Sequence, residues 1–177
     1  MIVKQEAKAL KSKIKVNTLN GGNFYADSKD DILENISKEV DFSTVADKKF
    51  FLVDDIKEEM ALLQHKEAVV FNYRDILNYE YKENGEKIIG GKKLATLAGG
   101  LTFGVLGAMV GSSGNKKIKE KVDSMEVVIN LNSLNDANLR IECLVSNTKR
   151  NSFTYKVALE HANQIIHALN YATNKVK

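Results

Sequence analysis

Residues 94–115, LATLAGGLTFGVLGAMVGSSGN, form 22 consecutive positions without a charge in a chain of 177 residues of which 28% are charged. Lysine pairs bound the run, Lys92 and Lys93 before it and Lys116 and Lys117 after it. On length alone it matches the roughly 20 apolar residues a helix needs to cross a bilayer. Six positions are glycine: Gly99, Gly100, Gly104, Gly107, Gly111 and Gly114. Gly100 and Gly104 make one GxxxG pair, and Gly107 and Gly111 another. Small residues at that spacing let two helix backbones approach closely. In water each interior glycine weakens an isolated helix by about 1 kcal/mol relative to alanine. Compensating contacts must therefore hold such a helix, or the run is loop.

The rest of the chain has the apolar and charged fractions of a globular protein and a net charge of only +3. Its length suits one domain with a small appendage. Cys143 is the single cysteine, which excludes an intramolecular disulfide and suits a reducing cytosol. The opening MIVKQEAKAL is interrupted by charge at once, unlike a signal peptide, so a cytoplasmic protein is expected. Proline is absent, so Gly, Asn, Asp and Ser must bound the elements.

Periodicity assigns those elements. Ser28 and Asp31 have capping-box spacing, and Ile32, Leu33, Ile36 and Val40 follow on one helical face, predicting a helix over 29–40. KFFLVDD and EEMALLQ read as a hairpin, followed by AVVFNY and DILNYEYKENGEKII. In the last of these, Leu77, Tyr79 and Tyr81 alternate with Asn78 and Glu80, and Asn84-Gly85 is a favoured two-residue turn. Beyond the uncharged run, Met125, Val127, Ile129 and Leu131 point one way, as do Leu139, Ile141, Cys143 and Val145. These read as two antiparallel strands with one buried face. A closing helix follows from Ala158, Ala162, Ile165, Leu169 and Ala172, reinforced by Leu159 and Ile166.

This order argues against a simple membrane span. Strands before Gly90 and after Val122 are expected in one sheet, and a single crossing would put them on opposite sides of a bilayer. A re-entrant hairpin would give each arm only about half the residues a crossing needs. A phosphate loop fails on detail: Gly99 and Gly104 have the right span, but Val105 and Leu106 stand where Lys and Ser/Thr belong. Self-association, packing within the chain and shallow membrane contact remain open for the run.

Other candidate sites are weaker. Asp54, Asp55, Glu58 and Glu59 lack the spacing and glycine of a calcium loop and read as a solvated turn. His161 and His167 are six residues apart, on different faces of their helix, so no metal site is expected. Cys143 reads as core. Lys4, Lys8, Lys11, Lys13 and Lys15, and again Lys116, Lys117, Lys119 and Lys121, form basic sets without a base-reading motif. Nucleic acid is therefore not expected as a partner, nor is any cofactor or catalytic residue.

KFFLVDDIKEEMALL followed by VVFNYRDILNYEYKENGEKI resembles bacterial and phage pleckstrin-homology-like domains close to the GRAM-like type, with Tyr73, Asp75, Ile76, Glu80 and Gly85 at the matching places. The resemblance covers roughly residues 42–175, with a glycine-rich insertion inside it. It implies an α+β fold: a curved antiparallel sheet or partial barrel with a C-terminal capping helix. The expected organisation is an N-terminal helical segment over 1–41 and a PH-like domain over 42–177, with the insertion at 90–121. The expected function is non-enzymatic protein binding or self-association. Its contacts would come from Leu97, Gly100, Leu101, Gly104, Val105, Leu106, Gly107, Met109 and Gly111. Two alternatives stand beside it. One is peripheral binding to anionic lipid, with Lys92, Lys93, Lys116 and Lys117 on the headgroups. The other is a phage-encoded inhibitor of a host defence or regulatory protein.

Overall fold

The apolar runs become strands of two open sheets, and one long helix closes the chain. The computed structural model describes residues 13–19, 21–90, 120–134 and 137–176, with the backbone alone at 89 and 90. They fall into two compact units divided between Tyr73 and Arg74.

In the first unit β1 (Ile14–Thr18), β2 (Asn23–Ala26), β3 (Lys38–Asp41), β4 (Phe50–Asp54), β5 (Glu59–Gln64) and β6 (Glu67–Asn72) form a six-stranded sheet in the order β2-β1-β6-β5-β4-β3. The expected hairpin of KFFLVDD and EEMALLQ is β4 and β5, with Leu52 opposite Ala61. All five residues of β4 are buried, as a strand covered on both faces requires. One face packs Phe50, Leu52, Ala61, Leu63, Ala68 and Val70 with Val16, Ile32 and Leu33. His65 and Lys66 both have positive φ, 52° and 61°, in the tight turn from β5 to β6.

The helix expected over 29–40 does not form. A three-residue 3-10 turn, Lys29–Asp31, is followed by irregular chain and then by β3. Ile32 and Leu33 are buried and Ile36 half-buried, so the apolar positions were read correctly and their backbone was not. Better partners compete for the backbone. Asn35 N–H donates to Asp54 Oδ2 (2.8 Å) and Ser37 N–H to the Val53 carbonyl (2.8 Å). Val40 then pairs with Phe51 in the ladder. A helix this short is marginal alone, whereas the sheet edge satisfies the same groups directly. The described part of the expected N-terminal helical segment thus holds three strands and one 3-10 turn; residues 1–12 and 20 lie outside the described residues.

The acidic turn also differs from its expectation. Asp54 is fully buried. Besides Asn35, it accepts the N–H groups of Ile56 (3.0 Å) and Lys57 (2.9 Å) on Oδ1. The carboxylate therefore builds the turn rather than facing solvent.

In the second unit β7 (Ile76–Glu83), β8 (Glu86–Gly90), β10 (Met125–Leu131) and β11 (Asn138–Leu144) form a sheet ordered β11-β10-β7-β8. A two-residue ladder joins β9 (Lys121–Val122) to β12 (Thr148–Lys149). Helix α1 (Phe153–Lys175) packs on β7, β10 and β11. Ser152 caps it, its hydroxyl oxygen accepting the Tyr155 N–H at 3.2 Å. Every position of the expected helical stripe, from Ala158 to Ala172, is buried. Asn84 and Gly85 make the expected turn, with φ of 52° and 75°.

Two β-bulges overturn part of the alternation. Asn130 faces Asn78 but Leu131 faces Ile76, so Leu77 is the extra residue and stands 62% exposed. Likewise Met125 faces Leu144 while Glu126 faces Glu142, which skips Cys143. Leu144 turns inward, Val145 outward, and Cys143 is half-buried rather than core. One inserted residue exchanges the faces of everything beyond it. The fold is α+β, mostly sheet with a C-terminal helix, and the sheets do not close into a barrel.

Substitution at the two kinds of position should separate sharply. Ile129→Ala, at a fully buried site, is expected to lower unfolding free energy by about 2–5 kcal/mol. Leu77→Ser, on the bulge, should stay within about 0.5 kcal/mol of the parent. Urea unfolding followed by circular dichroism measures both, and equal losses would refute the assigned register.

Candidate functional site

The uncharged run is bracketed by two described ends, and the structure fixes where each one sits. Gly90, the last residue of β8, pairs with Glu80 of β7. On the return, Asn84 Oδ1 accepts the N–H groups of Asp123 (2.7 Å) and Ser124 (3.3 Å), while the Asn84 N–H donates to the Ser124 carbonyl (3.0 Å). β10 then pairs with β7 along its whole length. Departure and return therefore lie on one sheet, on the two sides of β7: Gly90 opposite Glu80, and Ser124 held by Asn84, the turn residue that follows β7. The expectation that the chain comes back to the sheet it left is met. Leu97, Gly100, Leu101, Gly104, Val105, Leu106, Gly107, Met109 and Gly111, and the lysines at 92, 93, 116 and 117, lie outside the described residues.

A buried polar cluster adjoins the returning chain. Glu83 alternates inward with Tyr79 and Tyr81 on β7 and is 2% exposed. Its Oε1 accepts the hydroxyls of Tyr81 (2.5 Å) and Tyr155 (2.9 Å). Arg150 Nη2 lies 2.6 Å from Oε2, and Nη1 donates to the Tyr155 oxygen at 3.0 Å. The Arg150 backbone N–H donates to the carbonyl of Glu120, at 3.0 Å. Glu120 is the first described residue after the run. Glu120, Lys149, Arg150 and Asn151 line a shallow depression of about 300 Å³ beside this contact.

The cluster is strongly polarised. Burial, reinforced by the Glu83 charge, pushes the Tyr155 hydroxyl up to about 12 from 10.0. The same causes, burial first, carry Tyr81 well above the phenol range. Burial also pushes Tyr79 up to about 12, slightly opposed by Thr173. For Arg150 burial opposes the charge, but the hydrogen bond and charge of Glu83 outweigh it and hold the guanidinium above its ordinary value. The Tyr81 and Tyr155 phenols thus stay protonated donors to Glu83, which Arg150 also pairs. This chemistry fixes geometry.

Among the described residues no group of His, Cys, Asp and Glu is placed to hold a metal ion. His65 pairs instead with Asp47, Nδ1 to Oδ2 at 2.8 Å. Sequence reasoning missed the Glu83 cluster although a signal was present. Glu83 follows Tyr79 and Tyr81 at the period of a strand, and a charge on an apolar face requires a buried partner. Arg150 had no comparable signal, because a turn positions it.

A family model described as a glycine zipper-containing PH domain matches residues 38–145. The chain belongs to this family. The match runs from β3 to just past β11 and takes in the uncharged run; β1, β2 and α1 lie outside it. The PH-like resemblance read from Tyr73, Asp75, Ile76, Glu80 and Gly85 is thereby upheld at the level of a PH domain with a glycine zipper. No curated protein and no solved structure matches the chain. PH-like domains are in general non-catalytic binding modules. Among the described residues no helix is long and apolar enough to cross a membrane.

The raised phenols of this PH domain set an alkaline limit. For Tyr155 the folded value, about 12, exceeds the ordinary 10.0. The folded state therefore holds the proton more tightly, and the contribution is complete below pH 10. It is lost as pH rises from about 10 through about 12. Urea unfolding at stepped pH should show stability falling across that window, and Tyr155→Phe should fall less steeply. Parallel curves for the two proteins would contradict the assignment.

Proposed function

We propose that this PH domain is a non-enzymatic, cytoplasmic binding module that associates with further copies of itself through its glycine zipper. The observation that carries the reading is the common root of the run. The chain leaves the sheet at Gly90 and is held on it again at Ser124, on the two sides of β7, so the run lies within an excursion that departs from and returns to one sheet. A single bilayer crossing would require the two ends on opposite sides. Within the run, Gly100, Gly104, Gly107, Gly111 and Gly114 follow spacings of four, three, four and three. On a helix these positions share one face, where two backbones can approach. Leu97, Leu101, Val105 and Met109 recur at every fourth position and supply the apolar partner surface, with Leu106 beside them.

A second reading has its own support. Lys92, Lys93, Lys116 and Lys117 bracket the run, and beyond it Lys121 faces Lys149 across the β9–β12 ladder. Neither of that facing pair makes an ion pair with a described residue. Lysines around an apolar segment suit an anionic bilayer surface, with the run dipping into the interface.

Light scattering across a concentration series separates these readings. The parent should exceed the mass of one chain and dissociate on dilution. Gly104→Leu with Gly107→Leu should weaken association about tenfold or more, about 1.4 kcal/mol. Deleting 94–113 should abolish association. The nine residues left, 91–93 and 114–119, span up to about 30 Å and can still join β8 to Glu120. An unchanged mass after deletion refutes self-association through the zipper. Flotation of such a protein with vesicles containing phosphatidylserine, and not with phosphatidylcholine alone, would establish the second reading.

A further inference from the structure

We propose that the Glu83–Arg150–Tyr155 cluster is a latch that sets where and at what angle the glycine zipper returns, with Arg150 as its positioning residue. The inference rests on the zipper being the contact surface. One buried carboxylate joins three elements. Glu83 faces Glu86 across the outgoing hairpin and Met125 across the returning strand. Through Arg150 it reaches both the Tyr155 hydroxyl in the first turn of α1 and, by the Arg150 backbone, Glu120. Asn84, the next residue along, holds Asp123 and Ser124. The chain entering β10 is therefore gripped from both sides within five residues, Glu120 to Ser124.

Stability does not explain this arrangement. A buried ion pair costs desolvation, and exchanging both partners for apolar residues of similar volume is often neutral or stabilising. What an apolar replacement lacks is direction. A guanidinium offers donors in a fixed planar fork, so it serves Glu83 and Tyr155 at once and leaves one arrangement of the three elements. A zipper depends on register: glycines must meet a partner backbone at close range, and a root free to tilt or slide would misalign every contact.

The test compares the full chain with Glu83→Leu/Arg150→Met, with Arg150→Lys, and with Leu33→Ala as a destabilised control in the other unit. Light scattering reads association, urea unfolding reads stability, and amide hydrogen exchange reads Asp123, Ser124 and Arg150. The paired apolar exchange should leave a folded protein whose exchange at those amides is about tenfold faster or more, with association about tenfold weaker. Arg150→Lys should not restore either, because a point charge cannot serve both partners. Leu33→Ala should lower stability and leave association unchanged. Unchanged exchange in the paired variant overturns the latch whatever the mass. Faster exchange with unchanged association in an assembling parent overturns its role in positioning the zipper. A parent that stays a single chain at every concentration defeats the self-association reading instead, and exchange alone then decides whether the latch exists. Should the paired variant fail to fold, Tyr155→Phe, which removes one phenolic donor, carries the same exchange and mass comparison.

Discussion

The ladder between β10 and β7 is the constraint on which the rest depends. Its register, Val127 on Tyr81 and Ile129 on Tyr79, closes a loop of more than thirty residues that begins at the end of β8. Closing a long loop is inexpensive, since its entropy grows only with the logarithm of length. The ladder returns a row of buried pairs for that cost: Met125, Val127 and Ile129 are all fully buried. A PH domain can therefore carry a large insertion between β8 and β10, the two strands that flank β7, without losing the sheet. The consequence is topological: the chain on either side of the run belongs to one sheet.

Much of this was legible in the chain, and the failures have a common physical origin. The α1 stripe and the Asn84-Gly85 turn were readable because each depends on local spacing and backbone preference. The inward row of β10 was readable because a strand with one buried face must alternate. Leu77 and Val145 were misread because a bulge is decided by the partner strand, and no property of either residue announces it. The segment 29–40 was misread for a related reason. Ile32, Leu33, Ile36 and Val40 satisfy a helical spacing and are buried or half-buried, yet Asp54 and the Val53 carbonyl, distant in sequence, claim the backbone. Apolar periodicity reports which residues go inside more faithfully than it reports how the backbone takes them there.

The same distinction applies to charge. Asp54 and Glu83 are both buried carboxylates, and both stand where sequence proximity suggested solvent or a plain strand. Each is the meeting point of donors from separated parts of its unit. Asp54 takes three backbone N–H groups and so makes a turn. Glu83 takes two phenols and a guanidinium and so joins a hairpin, a returning strand and a helix. A carboxylate with backbone partners tolerates many neighbouring side chains. One with side-chain partners ties its elements together by identity, and loss of any member leaves a buried group unpaired.

Under the proposed self-association, that difference bears on why the zipper would need a rigid root. Glycine lowers the cost of close approach and raises the cost of order, since each glycine in a helix surrenders more backbone freedom than any other residue. Six of the 22 positions of the run are glycine, so ordering it as a helix would cost more than for an average sequence. Under the proposed self-association, order would be imposed from outside, by the partner copy and by the ends. The partner acts only once contact is made, whereas the ends act at all times. On the proposed reading, the anchors of Gly90 against Glu80 and Ser124 against Asn84 would restrict the run before any encounter and lower the ordering cost of association. On this account the PH sheet is the frame that makes a glycine-rich contact affordable.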